Sequence, residues 1–328
     1  MAARLHPAPS PTEEIVDLRR LSARHLDALL AEEIATWRAE LEWDFEKSAD
    51  LVRRFMDLRA LNGSALVEGG EVTGYTYYVL EDNKGLIGDL YVRRGVRTLE
   101  RENRLLESVL EAVMLSPQIS RVECQLMMMQ PLATRLMPRP KYLKTFERNF
   151  MRIDLKDAPL KEGRVRRPVY IEKWSDFYQE AAAQLIAAAY TGHIDGQIND
   201  QYRSAAGARR FLHNIVQYPG CGMFHRPASY AAFEASGAAS AGNLCGMSLA
   251  SMVAPNCGHI TQICVSPDTR GTGVGHELLR QSLRALRDVD CGSASLTVTA
   301  ANQDAVSLYE RIGFETRRRF SACVWEGF

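Results

Sequence analysis

The stretch V-S-P-D-T-R-G-T-G-V-G-H-E-L-L, from Val265 to Leu279, decides the fold. It follows an apolar run, His259 to Val265, that reads as a strand, and it opens an amphipathic helix expected from Gly275 to Asp288. Glycine is required in such a junction because backbone N–H groups can close around an oxyanion only where no Cβ intervenes and positive φ is accessible. The helix N-terminus adds unsatisfied donors and a favourable dipole, so a phosphate or pyrophosphate is the expected ligand. A dinucleotide fingerprint would need its G-x-G-x-x-G directly off the first strand of a domain, whereas here Ser266 to Thr269 intervene and the strand comes late. A P-loop would need Gly-Lys-Ser/Thr, which is absent.

Outward from this stretch the chain repeats itself. Helices expected at Trp174–Tyr190 and Ala206–Gln217 precede strands at Ser229–Phe233, Cys245–Val253 and His259–Val265, then the Gly275 helix and a strand at Ser295–Thr299. In the first half, helices at Ser22–Trp37 and Ala49–Leu61 precede strands at Ser64–Glu68, Glu71–Leu80 and Leu86–Val92, a helix at Leu99–Leu115 and a strand at Arg121–Met128. The order is the same twice. YVRRGVRTLERENRLLESVLEAV from Tyr91 lies on CVSPDTRGTGVGHELLRQSLRAL from Cys264 without a gap, at an offset of 173 residues.

Composition agrees with a soluble two-domain protein. At 328 residues the chain is long for one core, and 46% hydrophobic with 24% charged residues is an ordinary globular balance. Forty basic against forty acidic side chains leave no net field, which argues against a protein held to nucleic acid by phosphate contacts. Seven cysteines (Cys124, Cys221, Cys245, Cys257, Cys264, Cys291, Cys323) without a C-x-x-C pair indicate neither a disulfide framework nor a zinc ribbon, so no metal is expected. MAARLHPAPSPTEEI is broken by Pro and Glu where a signal peptide needs an apolar stretch, and no membrane-spanning run is present; a cytoplasmic protein, monomer or homodimer, is expected. The polar, proline-bracketed connector Lys156 to Pro168 places the domain boundary at 1–160 and 161–328.

Twenty-seven residues beyond the glycine loop, counted from Gly275, stands N-Q-D-A-V-S-L-Y-E-R-I-G-F, Asn302 to Phe314. Together, the two segments resemble the paired signatures of the GNAT acetyltransferase superfamily: Arg/Gln-x-x-Gly-x-Gly/Ala, then Asn-x-x-Ala-x-x-Leu-Tyr-x-x-x-Gly-Phe. The resemblance is sharp over about Cys257 to Phe314 and topological elsewhere. It implies an α/β fold (α+β mixed sheet) of two tandem GNAT-like domains, each with a mostly antiparallel mixed sheet flanked by helices. The pairing also resembles the tandem mycothiol synthases, in architecture only.

The resemblance implies acetyl-CoA as cofactor, its diphosphate on the amides of Arg270, Gly271, Thr272, Gly273, Val274 and Gly275. The pantetheine would lie along the strand at Ile263, Cys264 and Val265, with Asn302 touching the cofactor arm or capping its helix. Tyr309 is the implied acid for the departing thiolate. His259, six residues before Val265, is the candidate base, its unperturbed pKa of ~6.5 suiting that work at neutral pH; Thr261 and Gln262 are the alternative, ordering a water. Cys264 is expected in the core, since direct transfer needs no protein thiolate. The polar segment Tyr190 to Tyr202 is the candidate acceptor loop, with Tyr190, His193, Asp195 and Asp200 as substrate residues; Asp200 and Asn199 also read as helix caps. Arg317 to Arg319 read as a solvated strand edge, or as a reach to the adenosine phosphate.

In the first half Thr98, Glu100 and Glu102 stand where Gly271, Gly273 and Gly275 do, and Leu86 replaces His259. Two carboxylates there would repel a diphosphate by ~1 kcal/mol per charge pair even in bulk water, so this domain is expected to be non-catalytic. Prolines 131, 138 and 140 interrupt the helix expected after Gln130, and Met127 to Met129 read as strand packing or a pocket lining. The function expected is N-acetyl transfer to a primary amine of a small molecule or peptide by direct attack in a ternary complex. The alternative is an acyl-CoA-binding regulatory module without turnover. A nicotinamide oxidoreductase rests on the glycines alone.

Overall fold

The hairpin at Glu68-Gly69-Gly70-Glu71 sets the first register: both glycines take positive φ (60° and 86°), as a two-residue turn between twisted strands requires, and Glu68 pairs Glu71. The computed structural model describes residues 13–131, 136–218, 220, 222–235 and 242–328. Cys221 and the first twelve residues, which bear on the reading of the leader, lie outside them. By contacts the chain divides into two units, one of Met1–Thr36, Ala49–Lys144 and Val324–Phe328, the other of Trp37–Ser48 and Thr145–Cys323.

In the first unit β1 (Glu13–Asp17), helices α1 (Asp27–Leu41) and α2 (Glu46–Asp57), β2 (Asn62–Glu68), β3 (Glu71–Glu81), β4 (Lys84–Val92), α3 (Leu99–Met114) and β5 (Arg121–Gln125) follow in order. The last turn of α1 and the start of α2 fall in the second unit's Trp37–Ser48. The sheet runs β1-β2-β3-β4-β5, antiparallel except for the parallel pair β4 and β5. Thr98 caps α3, its hydroxyl accepting from the Arg101 amide. Leu105, Leu106, Val109, Leu110 and Val113 recur on one face of that helix and are fully buried, each worth about 1.5–3 kcal/mol against exposure.

The second unit contains β6 (Leu143–Asp154, from Thr145), β7 (Val169–Lys173), α4 (Gln179–Ala189), α5 (Asp195–Ile198), α6 (Ala205–Gln217), β8 (Met223–Phe224), β9 (Tyr230–Glu234), β10 (Leu244–Ala254), β11 (Cys257–Val265), α7 (Val274–Arg287), β12 (Ser293–Thr299), α8 (Gln303–Ile312) and β13 (Glu315–Glu326, up to Cys323). Its sheet order is β13-β6-β12-β11-β10-β9-β7. On one face α7 and α8 bury Leu279, Leu283, Leu286, Val306, Tyr309 and Ile312 against Met151, Ile260, Leu296 and Val298. On the other, Ala182, Ala183, Ile186 and Leu212 of α4 and α6 cover Met247, Leu249 and Cys264.

The repeat is carried into the backbone. β4 pairs β5 only from Lys84 to Ile87, and β11 pairs β12 only from Cys257 to Ile260: four residue pairs each, 173 positions apart. β3 and β10 both carry a register shift at matched positions, Tyr77/Tyr78 and Leu249/Ala250. Two expectations are corrected. Leu143–Asp154 is a strand paired with β12, where a proline-broken helix was expected, since Pro138 and Pro140 both precede it. The contact division does not follow the expected 160/161 boundary either, because that strand and Trp37–Ser48 belong to the second unit.

Candidate functional site

Past Ile260, β11 continues to Val265 bonded to β10 alone, while β12 continues to Thr299 bonded to β6. The two parallel strands therefore part, and the edge of Thr261 to Val265 that faces away from β10 has no strand partner among the described residues. β-strand backbone presents N–H and C=O at such an edge as a template for an extended ligand. Ile263, Cys264 and Val265 lie on it.

The glycine loop sits at the end of that edge. Pro267–Thr269 makes a single 3-10 turn, closed by the Arg270 amide on Pro267 O (3.3 Å) and the Thr272 amide on Thr269 O (3.4 Å). Gly271 (φ 72°) and Gly273 (φ 91°) then turn the chain into α7. A Cβ on Gly271 would meet no atom within 4 Å, so that residue faces open space. The amides of Arg270 and Thr272 are consumed by the turn; those of Gly271, Gly273, Val274 and Gly275 remain, the last two as unpaired first-turn donors of a helix. The cradle fits a diphosphate, on four amides instead of the six expected. The Arg270 guanidinium turns back to the carbonyl of Ala189 at the end of α4.

On the opposite lip, Asn302 caps α8, its Oδ1 accepting from the Ala305 amide (3.3 Å). Tyr309, two turns on, is buried and its hydroxyl makes no hydrogen bond to a described residue. Burial raises its ionisation well above the phenol range, and the nearby Asp195 carboxylate adds to this.

The segment Tyr190–Tyr202 is tied to both lips. Tyr190, stacked on Tyr202 at 4.5 Å, accepts from Gln262 Nε2 of β11 (3.0 Å). His193 Nε2 lies 3.3 Å from Asn302 Nδ2. Asp195 takes hydrogen bonds from Thr299 at the end of β12 and from Arg148 Nη1 of β6 (3.1 Å), while Arg148 Nη2 reaches Thr297 Oγ1 (3.2 Å). Asp200 opens a short turn that Asn199 caps through Gln201 N. Asp195 is thus not a free carboxylate waiting for a cationic acceptor, because Arg148 already balances it. Arg148 carried no signal in the sequence: a lone arginine in R-N-F acquires its role only when β6 lies beside β12.

His259, the candidate base, lies apart from the unpaired edge. It sits in the paired part of β11, opposite Ser295, before the strands part. It is 4% exposed, its Nδ1 is 2.9 Å from Ser295 Oγ, and the Trp43 ring meets it edge-on at 4.9 Å. Burial depresses its pKa to about 3, so it is a neutral core group. Burial also drives the Cys264 thiol up to about 12, as befits a core cysteine. Arg318 is spent on Glu40, and Arg317 pairs Glu315 at 3.1 Å.

Comparison with known proteins bears on this arrangement directly. The acetyltransferase (GNAT) family model matches residues 197–314, which run from the acceptor loop through the glycine loop to the end of the Asn302 motif. That match spans about a third of the chain. The chain is 36% identical over 58 residues to a mycothiol acetyltransferase of Corynebacterium jeikeium, which covers 18% of this chain and 17% of that protein. It is 31% identical over 62 residues to the N-alpha-acetyltransferase MAK3 of Arabidopsis thaliana, covering 19% and 33%. The matches therefore span only a minor part of these relatives. The fold likeness is much wider: a GCN5-related N-acetyltransferase from Sphaerobacter thermophilus aligns over 96% of this chain and 95% of its own with a TM-score of 0.67 at 17% identity. A tandem GNAT protein from the clavulanic acid biosynthesis pathway aligns over 96% and 98% with a TM-score of 0.58 at 18% identity. In the matched segment the unpaired β11 edge runs into the glycine loop, and Tyr309 lies near Asp195, Arg148 and Cys264; His259 lies in the paired part of β11.

Proposed function

We propose that the protein is a tandem GNAT enzyme whose second unit transfers an acetyl group from acetyl-CoA to a primary amine, the first unit being non-catalytic. One observation carries this reading: β11 parts from β12 after Ile260, leaving an edge from Thr261 to Val265 without a strand partner among the described residues that runs into the cradle of Gly271, Gly273, Val274 and Gly275. Acetyl-CoA supplies an activated thioester carbonyl. The cradle amides hold its diphosphate, the free edge of Ile263 to Val265 orients the arm by backbone hydrogen bonds, and Asn302 stands beside it.

The neutral amine attacks the carbonyl carbon, the C–S bond breaks, and the sulfur takes the proton from Tyr309. A hydroxyl whose ionisation is raised by burial stays protonated through neutral pH, so a proton is in place for the departing thiolate. The amine proton leaves to water ordered by Gln262 and the candidate acceptor loop, and a proton from that water returns to the Tyr309 oxygen, restoring the hydroxyl. Transfer is direct, within a ternary complex, since a Cys264 thiol held at about 12 offers no thiolate for an acyl-enzyme. The names of the relatives bracket the acceptor between a small-molecule amine and a peptide amine.

The test is thiol release from acetyl-CoA with a panel of amines. Tyr309→Phe is expected to lower kcat by ~10²-fold or more while leaving the KM for acetyl-CoA within a few-fold. Cofactor binding with no thiol release from any amine would replace the enzyme by a sensor.

A further inference from the structure

The connector ahead of β7 does more than join segments. From Gly163 to Arg167 it is laid along the glycine loop: the Arg166 amide donates to Thr272 O at 2.8 Å, and a Cβ on Gly273 would stand 2.3 Å from Arg164 O. A Cβ on Gly163 would fall 2.4 Å from the His276 ring, so glycine is what lets the segment pass. Val165 packs with Val274 and Leu278 at the start of α7. Arg167 is spent, donating to Asp268 O at 2.9 Å and pairing Glu234.

Its neighbours are not. Arg164 and Arg166 flank the inward Val165, both are exposed, and neither guanidinium has an acceptor among the described residues. Burial alternates along the segment from Gly163 to Arg167, so the two exposed cations share the solvent side of a strap fastened to the glycine loop. The loop's amides are sufficient for a diphosphate, whereas two guanidinium forks suit a phosphomonoester, whose oxygens accept bidentate bonds.

We propose that Arg164 and Arg166 read the 3′-phosphate on the adenosine of CoA, making the strap a specificity element that separates CoA from its dephosphorylated form. This rests on the cofactor reading above. The experiment is calorimetric titration of the full chain with CoA and with 3′-dephospho-CoA. The wild type is expected to prefer CoA by about tenfold or more. R164A/R166A is expected to bind both with the affinity the wild type shows for dephospho-CoA, and R164K/R166K to keep part of the preference. A wild type that binds the two ligands equally overturns the proposal while leaving the cofactor reading in place, as does a double alanine variant that weakens both equally. Failure of the wild type to bind either ligand overturns the cofactor reading and the proposal with it.

Discussion

His259 and Tyr309 show what a residue's spacing conveys and what it withholds. Six positions before Val265 fixed His259 to the strand, but not to the portion of the strand still paired with β12, where Ser295 and Trp43 enclose it. Trp43 lies more than two hundred positions upstream, and no local pattern announces such a partner. Tyr309 was legible because its motif fixes it on a helix whose cap, Asn302, is itself part of the motif. The burial of His259 has a measurable cost. An unfolded imidazole titrates near 6.5 and this one at about 3, so between those values the unfolded chain binds a proton that the native chain refuses. Stability from this group is complete above ~6.5 and is lost as the pH falls, by about 2 kcal/mol at pH 5. Urea unfolding of the second unit at pH 7.5 and pH 5 is expected to show that loss in the wild type and not in His259→Gln. The same variant, if folded, is expected to keep kcat within about threefold; a hundredfold loss would restore His259 as the base.

At the scale of elements, α3, α7, α8 and the strands β2 to β4 and β9 to β12 were readable from apolar periodicity and turn residues, with shifts of a few positions at their ends. Strand β6 was not, because prolines 138 and 140 masked what followed, and Arg148, the partner of Asp195, was lost with it. Arg148 and Asp195 are 12% and 13% exposed, so Arg148→Met leaves a nearly buried carboxylate without its cation. A loss of about 3–5 kcal/mol is expected in denaturant unfolding, and replacement of both residues by apolar ones is expected to recover much of it. The glycines of the loop are separable in the same way. Gly271→Ala incurs only left-handed strain, ~1 kcal/mol, since its Cβ meets nothing, and CoA affinity is expected to fall by a few-fold at most. Gly273→Ala adds a collision with the Arg164 carbonyl, so it must displace the strap or the loop, and a fall of tenfold or more is expected in the same titration.

For the whole molecule, the chain order of the two halves was written plainly at an offset of 173 residues, and it reappears as matched partial strand pairings. The assignment of segments to units was hidden, since Trp37–Ser48 and the strand from Thr145 are grouped by contacts, not by the composition of a linker. In the first unit one of the two carboxylates aligned with the glycines is structural: Glu102 is 1% exposed and accepts from Arg97 Nε at 2.7 Å and from the Gln130 amide at 3.2 Å. The decisive measurement is the stoichiometry of CoA binding by calorimetry, on the wild type and on Gly273→Val shown to be folded by its unfolding midpoint. One site per chain, abolished in the variant, is the predicted result; two sites, or one that survives the valine, would contradict it.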